Sequence, residues 1–261
     1  MPQLDTRGQI AAAQIAFYAP IAIITFILVI KYALRRDAGW FFLFLFSIAR
    51  LAQGALIVAA EMIVPPKPIL FNAAYIMDYS ALAFLLFSSL GFIGMAGQHT
   101  YSENPRITTI LRLIGIFGLG GMGLCIAGGI LNGESTANQS LAVALRRAGV
   151  CIYAGMYVII FAVFIGTWTY RWHLRSYRRS LLFGLTCALP FLGVRMAYAV
   201  IAAFSSSDLL GTKLSSNTTL ADLNPVTGKW ILYLVLSLIM EYVVVALYLF
   251  ASTILARRHR H

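Results

Sequence analysis

WFFLFLFSIARLAQGALIVAAEM, the stretch from Trp40 to Met62, decides the fold. It exceeds the ~20 residues that a helix needs to cross a hydrocarbon core of ~30 Å. Arg50 sits near its middle. Working outward, six more apolar runs of comparable length follow the same pattern: Ile10 to Leu34, Leu70 to Gln98, Leu111 to Leu131, Val150 to Tyr170, Leu181 to Phe204 and Trp230 to Ala256. The reading is an all-α membrane protein with seven transmembrane helices in a single domain, 1–261. Three of the other runs also carry an embedded charge, namely Asp78 in the third, Arg195 in the sixth and Glu241 in the seventh.

Composition agrees. A chain that is 60% hydrophobic with a mean hydropathy of +0.82 would show an almost wholly apolar surface as a soluble domain of this size. The net charge of +11 would suggest a nucleic-acid partner in a soluble protein, but here the basic residues cluster at helix ends, and none is expected. The partner is the lipid bilayer, in the plasma membrane or an endomembrane. The run after Gln9 is too long for the core of a cleavable signal and is read as a first anchor. Cys125, Cys151 and Cys187 lie within spans and behave as small hydrophobes.

Basic residues set the expected orientation. Lys31, Arg35 and Arg36, then Arg106 and Arg112, then Arg171, Arg175, Arg178 and Arg179, then Arg257, Arg258 and Arg260 fall on one side. Arg7, Lys67, Arg146, Arg147, Lys213 and Lys229 fall on the other. Twelve against six places the N-terminus outside and the C-terminus in the cytosol. Two glycosylation sequons, at Asn138 and Asn217, lie in loops that this orientation puts outside.

An ionised side chain at the bilayer centre costs ~2.5–3.5 kcal/mol, so four unpaired charges would cost ~10–14 kcal/mol. Arg50, Asp78, Arg195 and Glu241 should therefore pair, and their charges sum to zero. Two readings stand. Arg195 and Glu241 form a structural ion pair between the last two spans, or all four residues build a site for a substrate or ligand. Arg50, Gln53, Gly54, Ile57 and Glu61 share one helical face, which would suit a water-accessible cavity reaching the outer rim. Pro65 and Pro66 end that helix just beyond Glu61. The pattern of an Arg followed by an acid in the next span recurs in the two halves, so spans 1–3 and 5–7 are read either as parallel repeats or as a chance match.

The fourth span is rich in glycine. Gly121, Cys125 and Gly129 recur at four-residue spacing, as a helix used for close packing would require, and we expect it to be a packing spine. The connector of about Ser205 to Lys229 is either a solvated link or a lid over an outward cavity. All four histidines lie at cytosolic helix ends, no lysine sits at mid-membrane, and no phosphate loop or nucleophile elbow occurs. The expectation is no enzyme activity, no metal and no cofactor.

Two runs carry a resemblance: Pro190-Phe191-Leu192-Gly193-Val194-Arg195-Met196-Ala197-Tyr198, and Met240-Glu241-Tyr242-Val243-Val244-Val245-Ala246-Leu247-Tyr248. They resemble fungal seven-helix membrane proteins of uncharacterised function and, more distantly, RTA-like lipid-translocating exporters. The resemblance implies lipid or amphiphile movement. The expected function is to bind, sense or move a lipid or other amphiphile through a cavity around Arg50, Asp78, Arg195 and Glu241. A heptahelical receptor-like sensor and a structural membrane subunit are the alternatives.

Overall fold

The computed structural model describes residues 5–32, 38–63, 68–96, 105–134, 139–169, 176–206 and 218–258. Both sequon asparagines, Asn138 and Asn217, lie outside the described residues. Helices α1 (Thr6–Tyr32), α2 (Ala38–Met62), α3 (Pro68–Ala96), α4 (Pro105–Glu134), α5 (Gln139–Thr169) and α6 (Ser176–Ser205) follow in chain order. A short α7 (Thr218–Asp222) precedes the last span. That span is α8 (Trp230–Tyr233), a π-helical stretch (Leu234–Ile239) and α9 (Met240–Arg258) in succession. Among the described residues, seven helices are long and apolar enough to cross a membrane, which makes this a multi-pass membrane protein.

Lipid tails are as apolar as leucine, so association between these helices rests on close packing and on polar contacts. The tightest neighbours are α2 with α3, α4 with α5, α1 with α2, and α6 with α9. At the centre lies α3. In its 18-residue apolar window 72% of residues are buried, against 22% in that of α4. Leu82, Leu85, Leu86 and Phe92 of α3 meet Leu43 and Phe46 of α2 and Tyr248 of α9 in one core. The Ser89 and Tyr248 hydroxyls bond at 2.7 Å across it.

The glycine-rich fourth helix packs closely on its neighbours, as its small residues suggest, but from the edge of the bundle rather than its centre. Its small residues serve two different neighbours. A Cβ on Gly149 of α5 would lie 2.5 Å from Cys125 Sγ and 2.7 Å from the Gly121 carbonyl, so these helices touch backbone to backbone. Gly129 instead faces Ile76 of α3. Outward, Phe117, Phe161 and Phe250 are exposed, as the lipid face of a membrane helix requires.

Helix α5 begins at Gln139, well before its apolar run, and this carries Arg146 inside the fold rather than into a loop. The Arg146 guanidinium is buried and donates to the carbonyls of Ala203 (3.3 Å) and Ser206 (3.0 Å). It caps the last turn of α6, where unsatisfied carbonyls leave partial negative charge.

Candidate functional site: a buried ring of four charges beneath a vestibule

Four helices each deliver one charge to the middle of the bundle. Arg50 comes from α2, Asp78 from α3, Arg195 from α6 and Glu241 from the start of α9. Arg50 Nη1 lies 2.6 Å from Asp78 Oδ1, and Arg50 Nη2 donates to Glu241 Oε1. Arg195 Nη2 lies 3.2 Å from Asp78 Oδ2, and Arg195 Nε lies 2.5 Å from Glu241 Oε1. Each guanidinium thus reaches both carboxylates. The result is a closed ring of alternating sign.

The ring satisfies the requirement that buried charges be paired, and it does so with zero net charge. Arg50 and Glu241 are 0% exposed, whereas the Asp78 side chain retains 16%. The Arg195–Glu241 pair expected from the sequence is present, but as one edge of the ring rather than as an isolated bridge. The tightly packed pairs α2–α3 and α6–α9 each supply one Arg and one acid, and the cross-links Arg50–Glu241 and Arg195–Asp78 join them.

A shell of neutral polar groups surrounds the charges. Gln53 Oε1 accepts from Arg50 Nη1, and its Nε2 donates to Asp78 Oδ1 (3.3 Å) and to the Tyr233 hydroxyl (3.4 Å). Gln14 of α1 donates to the Arg50 carbonyl at 2.8 Å and to Gln53 Oε1 at 3.3 Å. The hydroxyl of Tyr18, also on α1, is buried without a hydrogen-bond partner among the described residues.

The π-helical stretch explains how Tyr233 and Glu241 serve the same centre. Eight residues apart on an α-helix they would point about 80° away from each other. A π turn takes up one extra residue, so they behave as though seven apart, within about 20° of one face.

Above the ring lies a cavity of about 340 Å³. Gln14, Tyr75 and Tyr233 line its deep part, and Asp5, Arg7 and Glu61 line its mouth at the face that holds the N-terminus. The stripe on α2 is thereby divided. Ile57 and Glu61 line the cavity, Gln53 is buried in the ring's shell, and Gly54 packs on Ile15 and Ala11 of α1. The four charges sit one layer behind the vestibule, linked to its wall through Gln14 on the Arg50 carbonyl and through Gln53 on Tyr233.

The roof comes from the described part of the last connector. Asn224 Oδ1 accepts from the Val226 (2.7 Å) and Thr227 (3.1 Å) amides, and its Nδ2 donates to Ser205 Oγ at 3.1 Å. Gly228 fits where its backbone passes against Asp222 and Asn224 too closely for any Cβ. This turn presents the Pro225 and Gly228 carbonyls to Arg7, which donates to them at 2.7 and 2.9 Å. Residues 218–229 are thus a folded cover pinned to α1, and residues 207–217 of the connector lie outside the described residues.

Sequence reading brought out the four charges and Ile57 and Glu61. It missed Gln14, Tyr233 and Arg7, because a lone amide, tyrosine or terminal arginine has no spacing to mark it.

The chain belongs to the DUF7702 family, a domain of unknown function, whose model matches residues 4–258. Among curated proteins and solved structures, none matches the chain.

Proposed function

We propose that this membrane protein binds a lipid or other amphiphile in the vestibule above the charge ring, and senses or moves it. The observation that carries this reading is the contact between cavity and ring. A largely apolar cavity of about 340 Å³ with a few polar groups reaches mid-bundle and ends on Gln14, which bonds the Arg50 carbonyl, and on Tyr233, which bonds Gln53. Intramembrane ionisable residues commonly mark such binding paths. The distant resemblance read in Pro190–Tyr198 and Met240–Tyr248 to RTA-like lipid-translocating exporters suggests a lipid-like ligand. Arg50, Asp78, Arg195 and Glu241 then act as rigid support behind the site's floor, and Asp78 is the least deeply buried of the four, with 16% of its side chain exposed. The N-terminus lies outside and the C-terminus in the cytosol, as the basic residues suggest, so the vestibule opens outward.

The test is cysteine accessibility. Ile57→Cys, in a background without Cys125, Cys151 and Cys187, should react from the outer side with a membrane-impermeant thiol reagent and be protected by amphiphile. An unreactive Ile57→Cys would overturn the reading. A carrier exposes its site to both sides in turn, so Ser47→Cys or the native Cys187 should label from the cytosolic side in a second state. A sensor labels from outside alone.

A second reading, a structural subunit without ligand, is favoured by one observation: the ring satisfies its own charges. Under it, no amphiphile changes the labelling of Ile57→Cys.

A further inference from the structure

We propose that the seam between α1 and the last span holds the hydrocarbon chain of a single-chain amphiphile, whose uncharged, hydroxyl-bearing head occupies the vestibule. This rests on the reading above and names its ligand class.

Helix α1 packs along α2, and it touches the C-terminal part of the chain at two levels, the folded cover and the last span. Near the N-terminal face, Arg7 bonds the carbonyls of Pro225 and Gly228. Deeper, the rings of Phe17 and Tyr18 meet that of Tyr242 edge-on, with centroids 5.7 and 6.2 Å apart. Between the two levels runs a groove of about 520 Å³, walled by Ile10, Ala13, Leu234 and Leu238. Phe17 and Ile239 on its border are exposed, so it opens sideways into the bilayer.

Length selects a chain from one leaflet. Ten residues separate Arg7 from Phe17, a rise of about 15 Å, which is half of the ~30 Å hydrocarbon core. The Phe17, Tyr18 and Tyr242 rings close the deep end. Ile10 and Gln14 line both this groove and the vestibule, so the two spaces adjoin along α1. A molecule with one apolar chain and one polar end fits that L-shaped pair.

The charges select the head. Asp5 and Glu61 at the vestibule mouth repel an anion, and Arg7 beside them is turned to two backbone carbonyls. Further down, the ring is neutral overall, and the wall offers the Gln14 amide and the Tyr75 and Tyr233 hydroxyls. A charged head brought there would lose its hydration without gaining a counter-charge. A hydroxylated neutral head exchanges its water for those groups.

The experiment uses the full chain carrying Ile57→Cys in phosphatidylcholine nanodiscs, with labelling rate as readout. The probes are monooleoylglycerol, oleic acid and oleoyl lysophosphatidylcholine, which share one chain and differ in head charge, and a short-chain glycerol monoester. Monooleoylglycerol should slow labelling at concentrations at least tenfold below the two charged probes. Ala13→Trp, which fills the groove from an exposed position, should raise the monooleoylglycerol concentration needed by tenfold or more while leaving the short-chain ester unaffected. Leu234→Trp, from the opposite wall, repeats the test should the first variant fold poorly. Equal protection by monooleoylglycerol with and without the tryptophans overturns the chain site while leaving the vestibule reading intact. Stronger protection by either charged probe overturns the neutral head. An unreactive Ile57→Cys removes the vestibule reading and this inference with it.

Discussion

Replacing Glu241 with Leu leaves two guanidiniums, Arg50 and Arg195, sharing the single carboxylate of Asp78. The bundle then holds one uncompensated positive charge in a place where Arg50 is fully buried. Breaking a buried pair from one side typically costs ~3–5 kcal/mol. Arg195→Met does the converse and leaves an excess negative charge, at a similar cost of ~3–5 kcal/mol. Independent effects would sum to ~6–10 kcal/mol. The double variant, however, retains Arg50 and Asp78 at 2.6 Å as a neutral pair. Its loss should be close to that of one change alone, a coupling of ~3–5 kcal/mol. The ring adds a second signature. Arg50→Met combined with Arg195→Met leaves Asp78 and Glu241 facing each other with no cation between them, and its loss should exceed the sum of the two single losses. Equilibrium unfolding in mixed micelles, run on all single and paired variants, measures both terms. Additive losses for Arg195→Met with Glu241→Leu would refute the pairing. Additive losses for the two arginines would reduce the ring to two independent bridges.

Orientation is checked by fusing a reporter after His261, which should be cytosolic, and by glycosylation at Asn217. A reporter on the outer side would reverse the model. At the α4–α5 seam, Gly149→Val should cost about 1–3 kcal/mol by overpacking, because a Cβ there meets Cys125 Sγ and the Gly121 carbonyl. Gly155→Ala, with nothing within 4 Å of the added Cβ, should be neutral or stabilise by about 0.5–1 kcal/mol; thermal melts that rank the two alike would contradict the seam. Arg146→Met should lower stability by about 1.5–3 kcal/mol by stripping charged hydrogen bonds from the end of α6. Faster amide exchange at Ser205 and Ser206 would localise that loss, and unchanged exchange would argue against the cap.

The seven spans were legible because a membrane helix must satisfy all its backbone groups internally and so needs one long apolar run. The four site charges were legible for the same reason inverted, since unpaired charges at that depth cannot be tolerated. What the sequence could not convey was adjacency. Arg195 and Glu241 lie on consecutive spans and so suggested a pair, while the bond from Arg50 to Glu241 spans 191 residues and depends on how α2 is set against α9. Arg146 was misplaced for a different reason. Hydropathy marks where a helix becomes apolar, whereas α5 starts at Gln139, and a basic residue in its first turns reads as loop charge. Helix 4 was legible as a close-packing helix, but glycine reports closeness to some neighbour without saying whether that neighbour lies at the centre or the edge.

The register of the last span was the least legible element, and it supports the last prediction. LVLSLI, Leu234 to Ile239, has no Pro or Gly to mark a widened turn. It is the demand of two contacts, Tyr233 with Gln53 and Glu241 with both arginines, that the π geometry meets. If the stretch accommodates one residue more than an α-helix would place there, deleting exposed Val235 should return it to α geometry with both contacts in place. The variant should fold and keep the ring. Inserting one alanine at the same point should instead turn Glu241 by about 100°, stranding the arginines and costing ~3–5 kcal/mol as the point substitution does. Stability of the two variants, with and without Glu241→Leu, separates the cases. In the insertion variant Glu241→Leu should cost little more, because the carboxylate has already left the ring, whereas in the deletion variant it should cost as much as in the native chain. A deletion as damaging as the insertion would show that the π turn is not what aligns Tyr233 with Glu241.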